Sequence, residues 1–157
     1  MTRLLAIDPG LSTGIVSGFY SDTEPFTVEG IYQPEGGAQG FLEWSKRNSD
    51  YDVYREDVVV VEKFVLSSGN EFVADLSGVP SEGIAMAFSH DPVVWQYRSQ
   101  KSTVPDRVLK ENDLWSSGAD VGCQDARDAN DAMIHALIYL RTIGHKPTLE
   151  KIYGGKA

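Results

Sequence analysis

The sequence predicts an α/β domain built on a mixed five-stranded sheet, an antiparallel meander extended by parallel strands and flanked by helices. Three stretches carry that prediction. An apolar run, Leu4–Ile7, delivers Asp8 and stops at Pro9-Gly10. A run of four valines, Val58–Val61, ends in Glu62. A long alanine-rich segment, Asp125–Ile143, repeats its apolar residues at helical spacing.

The elements follow in order. Leu4–Asp8 is a buried strand: Pro9 has no N–H for a sheet ladder, and Gly10 accepts the backbone angles of a sharp reversal. A carboxylate at the carboxyl end of a strand, beside a glycine-rich turn, lies where open α/β sheets keep their chemistry. Gly14–Tyr20 and Phe26–Tyr32 carry β-branched and aromatic residues in alternation, separated by turn residues, and continue the first strand as a meander. Gln33–Gly40, with Pro34 and three glycines, is a loop. Phe41–Tyr51, with Phe41, Leu42 and Trp44 near helical spacing, is a helix.

Val58–Val61 lacks alternation, as expected of a strand covered on both faces. Glu62 directly after it is costly to bury unpaired, so it belongs at the strand's end with a partner. Leu66–Asn70 is a polar loop. Phe72 to about His90 is helical, with a break near Gly78–Pro80, and Asp91-Pro92 ends it. Val93–Tyr97 is a further strand. Ser102–Pro105 opens a short helix through Trp115, with Thr103 as N-cap, Pro105 in the first turn and Leu109 on the apolar side. Ser116–Gly122 is a loop.

In the last helix, Ala129, Ala132, Met133, Ala136, Leu137, Leu140 and Ile143 share one face. Asp128, Asp131 and His135 fall within an arc of roughly 60° beside that face. Asp125 is read as an N-terminal cap, and Gly144 stops the helix. Met86 and Met133 are expected in the core, as is Trp115.

At 157 residues the chain fits one domain, with its core between about 4 and 144 and a short C-terminal tail. One cysteine, Cys123, excludes an internal disulfide and fits a reducing cytoplasm. No secretory signal is visible, and the apolar runs are too short to span a bilayer, so a soluble protein is expected. The formal charge of −9 is unusual for a polyanion binder, but it is unevenly spread. Tyr20–Glu62 holds ten acids against three bases, whereas Val93–Lys110 holds Arg98, Lys101, Arg107 and Lys110 against Asp106 alone.

Asp8, Glu62, Asp128 and Asp131 can converge if the first and fourth strands are neighbours with the last helix across them. Convergent carboxylates raise one another's pKa, and a hard divalent cation resolves the conflict. Two Mg²⁺ or Mn²⁺ ions roughly 4 Å apart can activate a water and stabilise the leaving 3′ oxygen of a phosphodiester. No Ser-His-Asp order, Walker loop or zinc-ligand spacing competes for the chain. Arg98, Lys101 and Lys110 are candidate phosphate contacts. His135 is placed to bind a second metal, orient a water or hydrogen-bond a carboxylate. Phe64, two residues past Glu62, is a candidate for the substrate channel.

Ile7-Asp8-Pro9-Gly10 with Thr13-Gly14, then Val60-Val61-Glu62, then Asp128-Ala-Asn-Asp131-Ala resemble the RuvC Holliday-junction resolvases of the RNase H-like superfamily. Tyr97-x-x-Gln100-Lys101 and Asp131-Ala-x-x-His135 look closest to the shorter phage-type members. The resemblance runs from Leu4 to about Gly144. It implies the RNase H-like fold and a homodimeric, Mg²⁺- or Mn²⁺-dependent nuclease for four-way DNA junctions, working in the bacterial cytoplasm. By motif, Asp8, Glu62, Asp128 and Asp131 would be both catalytic residues and metal ligands. Two other readings stand beside it. One is an RNA/DNA-hybrid or flap nuclease of the same superfamily. The other is an actin- or sugar-kinase-like ATPase fragment, which needs two related lobes where this chain, without internal repeat, supplies one.

Overall fold

The computed structural model describes residues 1–48, 57–63, 65, 78–88 and 91–154. Its strands are β1 (Thr2–Asp8), β2 (Gly14–Tyr20), β3 (Thr27–Tyr32), β4 (Val58–Glu62) and β5 (Val94–Gln96). Its α-helices are α1 (Gly37–Arg47), α2 (Gly78–Met86), α3 (Asp106–Glu111), α4 (Gly118–Val121), α5 (Arg127–Thr142) and α6 (Lys146–Tyr153). A 3₁₀ helix spans Arg98–Thr103.

The sheet order is β3-β2-β1-β4-β5. β1–β2 and β2–β3 pair antiparallel, whereas β1–β4 and β4–β5 pair parallel. This is the mixed, helix-flanked sheet expected of the RNase H-like fold. The valine run lies beside β1, with Ala6 opposite Val60 and Ile7 opposite Val61. Side chains alternate across a strand, so each run feeds two cores. Leu4, Ala6 and Val60 meet α5 on one face, while Leu5, Ile7, Val59 and Val61 pack with Phe41 of α1 and Ala85 of α2 on the other. That parity sends Asp8 and Glu62, the next even positions, toward α5.

α5 is buried over much more than one stripe: Asn130, Ile134, His135 and Ile138 are covered together with the alanine face. The extra cover comes from Val104, Val108 and Leu109 on the α3 side and from Ile152 of α6. Ile143, expected on the packing face, is exposed because it follows the last helical turn. Gly144 then reverses the chain at φ 67°, a left-handed conformation suited to glycine.

Past Gly144 the chain forms α6 where a short tail was expected. His145 Nε2–H donates to the Ser21 carbonyl at 2.8 Å, and Phe26 N–H donates to Thr148 Oγ1 at 2.8 Å, tying α6 to the β2–β3 hairpin. α1 begins four residues before Phe41. The helix expected from Ser102 to Trp115 resolves into the 3₁₀ helix and α3. Thr103 ends the former rather than capping the latter, and Pro105 is the N-cap residue of α3. The expected Ser116–Gly122 loop contains the one-turn α4. Met133 is buried as expected, but Met86 is exposed at the end of α2. Trp115 is also on the surface, with Lys110 Nζ 4.3 Å from its ring centroid. Phe72 and the expected Leu66–Asn70 loop lie outside the described residues. Among the described residues no helix is long and apolar enough to cross a membrane.

A candidate metal centre at the strand ends

β1 and β4 run parallel and end side by side, so Asp8 and Glu62 emerge at the same edge and on the same face. α5 crosses that edge with its first turns. Its approach is unusually close: a Cβ on Gly14 would lie 1.8 Å from the Asp128 carbonyl oxygen, so only glycine fits there. Two further contacts fix the helix start. Gln33 Oε1 accepts from Ala129 N–H and Gln33 Nε2 donates to the Asp125 carbonyl, both at 2.9 Å. Asp125 Oδ1 accepts from Arg127 N–H at 3.0 Å, which fits its expected capping role one residue ahead of the N-cap Ala126. Ser12, in the turn after β1, donates its hydroxyl to Asp128 Oδ2.

The result brings carboxylate oxygens of Asp8, Asp128 and Asp131 within 4.8 Å of one another. Glu62 joins them through Lys101. Its Nζ lies 2.8 Å from Glu62 Oε2, 2.7 Å from Asp131 Oδ2 and 3.7 Å from Asp8 Oδ2. Lys101 is aimed there by the 3₁₀ helix, whose start is held by Tyr97 N–H donating to Gln100 Oε1 at 2.6 Å. Its end is held by Arg141 Nη1–H donating to the Thr103 carbonyl at 2.9 Å. His135, fully buried, hydrogen-bonds a carboxylate: its Nε2 lies 2.7 Å from Glu62 Oε2. Its Nδ1 lies 2.6 Å from Gln96 Oε1.

The electrostatics follow from burial and like charge. Desolvation, then the neighbouring Glu62, pushes the Asp8 carboxyl well above its ordinary value. Burial pushes Glu62 the same way, but hydrogen bonds from His135 and Lys101 outweigh it and leave Glu62 below its ordinary value. Burial would lower Lys101, yet Asp8, Asp131 and Glu62 hold its ammonium above the ordinary range.

The donor set suits a hard cation. Three carboxylates, Asp8 from β1 and Asp128 and Asp131 from α5, present oxygens within one small sphere, and burial together with the neighbouring Glu62 disfavours Asp8 as an anion. A cleft of about 520 Å³, bordered by Trp115, Ser117, Asp125, Arg127 and Asn130, opens beside Asp131.

Of the other candidates, Arg98 is exposed at the head of the 3₁₀ helix, and Lys110 lies over Trp115. Phe64 lies outside the described residues. Ser12, Gln33 and Gln96 are the residues that sequence reading missed. Gln96 lies inside the strand expected over Val93–Tyr97 and carries no charge; only the pairing of β5 with β4 sets it opposite Glu62.

No protein-family model matches the chain, and no curated protein matches it in sequence. Solved structures share its fold, among them two of RuvC. Thermus thermophilus RuvC in complex with a Holliday junction substrate superposes with a TM-score of 0.56 at 16% identity, over 92% of this chain and 98% of that one. A second T. thermophilus RuvC structure gives a TM-score of 0.55 at 16% identity, over the same shares. The chain therefore has the fold of the RuvC resolvases.

Proposed function

We propose that this chain is a metal-dependent endonuclease that resolves four-way or branched DNA junctions by phosphodiester hydrolysis, acting as a homodimer. The observation that carries the reading is the meeting of Asp8, Asp128 and Asp131, with Glu62 beside them, at the strand ends of a RuvC fold. A nuclease needs such a set where an ATPase would need a second lobe. The RuvC structure bound to a Holliday junction supports the choice of substrate.

In this reading Asp8, Glu62, Asp128 and Asp131 hold Mg²⁺ or Mn²⁺, two ions in all. Ions so bound supply an activated water and charge stabilisation for the leaving 3′ oxygen. The protein's own part is placement. β1 and β4 fix Asp8 and Glu62, Ser12 orients Asp128, and α5 carries Asp128 and Asp131 at one-turn spacing. Lys101 balances the carboxylates and stands where it can contact a phosphate oxygen. Arg98, exposed on the same 3₁₀ helix, and Lys110 are the further phosphate contacts of this reading.

The test is cleavage of matched four-way junction, flap, duplex and RNA/DNA hybrid, with Mg²⁺ and with chelator, beside Asp8→Asn. The expected result is junction cleavage that needs Mg²⁺ or Mn²⁺ and falls by about 10³-fold or more in Asp8→Asn, the scale of losing a principal transition-state contact. Preference for the hybrid would move the chain to another branch of the superfamily. Cleavage that survives chelation would remove the metal reading.

A further inference from the structure

His135 is completely buried and lies behind the acid cluster, with Glu62 against one ring nitrogen and Gln96 against the other. Gln96 is itself buried, at 4% exposure. β4 and β5 pair so that Glu62 is opposite Gln96, and both face α5. A three-member arm thus runs from the end of β5, through α5, to the end of β4.

We infer that Gln96 is a positioning residue: through His135 it fixes the rotamer of Glu62 and so the affinity of the carboxylate cluster for a divalent cation. Glu62 needs such a fixture. It ends its strand half-buried, and without the arm its Oε2 would answer to Lys101 alone. That partner also binds Asp131 and pulls toward the centre of the cluster. The imidazole opposes that pull from the rear. It can do so only while its ring plane is held, and the Gln96 oxygen at Nδ1 is the contact that holds it. Groups behind a ligand set its orientation and commonly change affinity or activity by about 10–100-fold when removed.

The inference rests on the nuclease reading only for its kinetic arm; its main readout is Mn²⁺ binding to the full chain, measured by calorimetry. Gln96→Met keeps the volume and removes the acceptor. It is expected to weaken Mn²⁺ binding by about tenfold or more and to lower kcat on a four-way junction similarly, with KM for DNA within about twofold. Gln96→Glu restores an oxygen at Nδ1 and is expected to recover most of both. A packing role predicts the opposite order, since a buried carboxylate is the worse fit for an apolar site. His135→Gln alone and with Gln96→Met should cost the same, because Gln96 acts through the ring. Gln96→Ser is measured beside them, so the comparison survives if the methionine variant does not fold. Wild-type Mn²⁺ affinity in Gln96→Met or Gln96→Ser, or failure of Gln96→Glu to recover it, overturns the inference. If the wild type binds Mn²⁺ but cuts no DNA, the nuclease reading falls, and the Mn²⁺ affinities still decide the role of Gln96.

Discussion

Lys101 and a divalent ion are rivals for the same carboxylate oxygens. The ammonium touches Glu62 and Asp131 and stands 3.7 Å from Asp8, so an ion entering among these oxygens meets a like charge already there. Lys101→Met keeps the aliphatic stem and removes that charge. Calorimetry on metal-free protein is expected to show Mn²⁺ binding about tenfold tighter, the scale of one screened charge contact; unchanged or weaker binding would dismiss the rivalry. Asp8 sets a second expectation, with a definite sign. Its folded pKa is raised above the unfolded value of 3.8, so between those two points the native state holds more protons than the unfolded one. Stability of the metal-free protein therefore falls as pH climbs through that window, and below it the effect is absent. Asp8→Asn carries no charge, so its melting temperature in chelator at pH 7 should rise above wild type, by about 2–4 °C per kcal/mol recovered, while cleavage disappears. A lower melting temperature would mean that the Asp8 charge stabilises the fold. The acids were legible in the sequence because Asp8 and Glu62 each interrupt an apolar run, and Asp128 and Asp131 share a helical arc. Lys101 was legible only as one base among several, since nothing local reveals where a 3₁₀ helix aims a long side chain. His135 stood in the right arc, but only the packing of α5 against β4 and β5 shows that it faces Glu62.

At the level of elements, the placement of α5 decides whether the site exists. Its N-cap residue, Ala126, has no side-chain acceptor to offer; Asp125 takes the Arg127 N–H, and the Ala129 N–H goes to Gln33, 93 positions earlier than Ala126 in the chain's numbering. Gln33→Leu leaves the buried Ala129 N–H and the part-buried Asp125 carbonyl without these partners. The expected loss is about 1–3 kcal/mol in urea unfolding, with weaker Mn²⁺ binding as Asp128 shifts. A loss under about 0.5 kcal/mol would show that the helix start is held by other contacts. The five strands and the long helix α5 could be read from the sequence to within a few residues, the strands from runs of β-branched and aromatic residues and α5 from its period. The short helices at the end of the chain could not. α4 has a single turn, and α6 is secured by His145 and Thr148 to residues more than a hundred positions away, so no local pattern announces it. Gln33 was read as the first residue of a loop, which it is; its role in capping lies in a contact that only the fold creates.

For the molecule as a whole, the charge of −9 poses the sharpest question for a DNA partner. Counter-ion release makes log K fall with log salt at about 0.9 per phosphate neutralised on duplex DNA. The segment from Val93 to Lys110 offers four bases, but Lys101 is engaged by carboxylates, which leaves Arg98, Arg107 and Lys110. About three phosphate contacts are then the most this face can make, and the net acidic charge elsewhere repels the backbone wherever the two come within about a Debye length. On the proposed nuclease function, affinity must come from shape at the branch point and from ions held in the acid cluster. For Asp8→Asn binding a four-way junction, log K against log monovalent salt should have a slope no steeper than about −3. Ca²⁺ should strengthen binding by wild type more than by the variant, because the variant lacks one of the carboxylates that draw the ion and the scissile phosphate together. A slope near −8, typical of a broad basic face, would require a docking surface that the charge distribution of this chain does not supply.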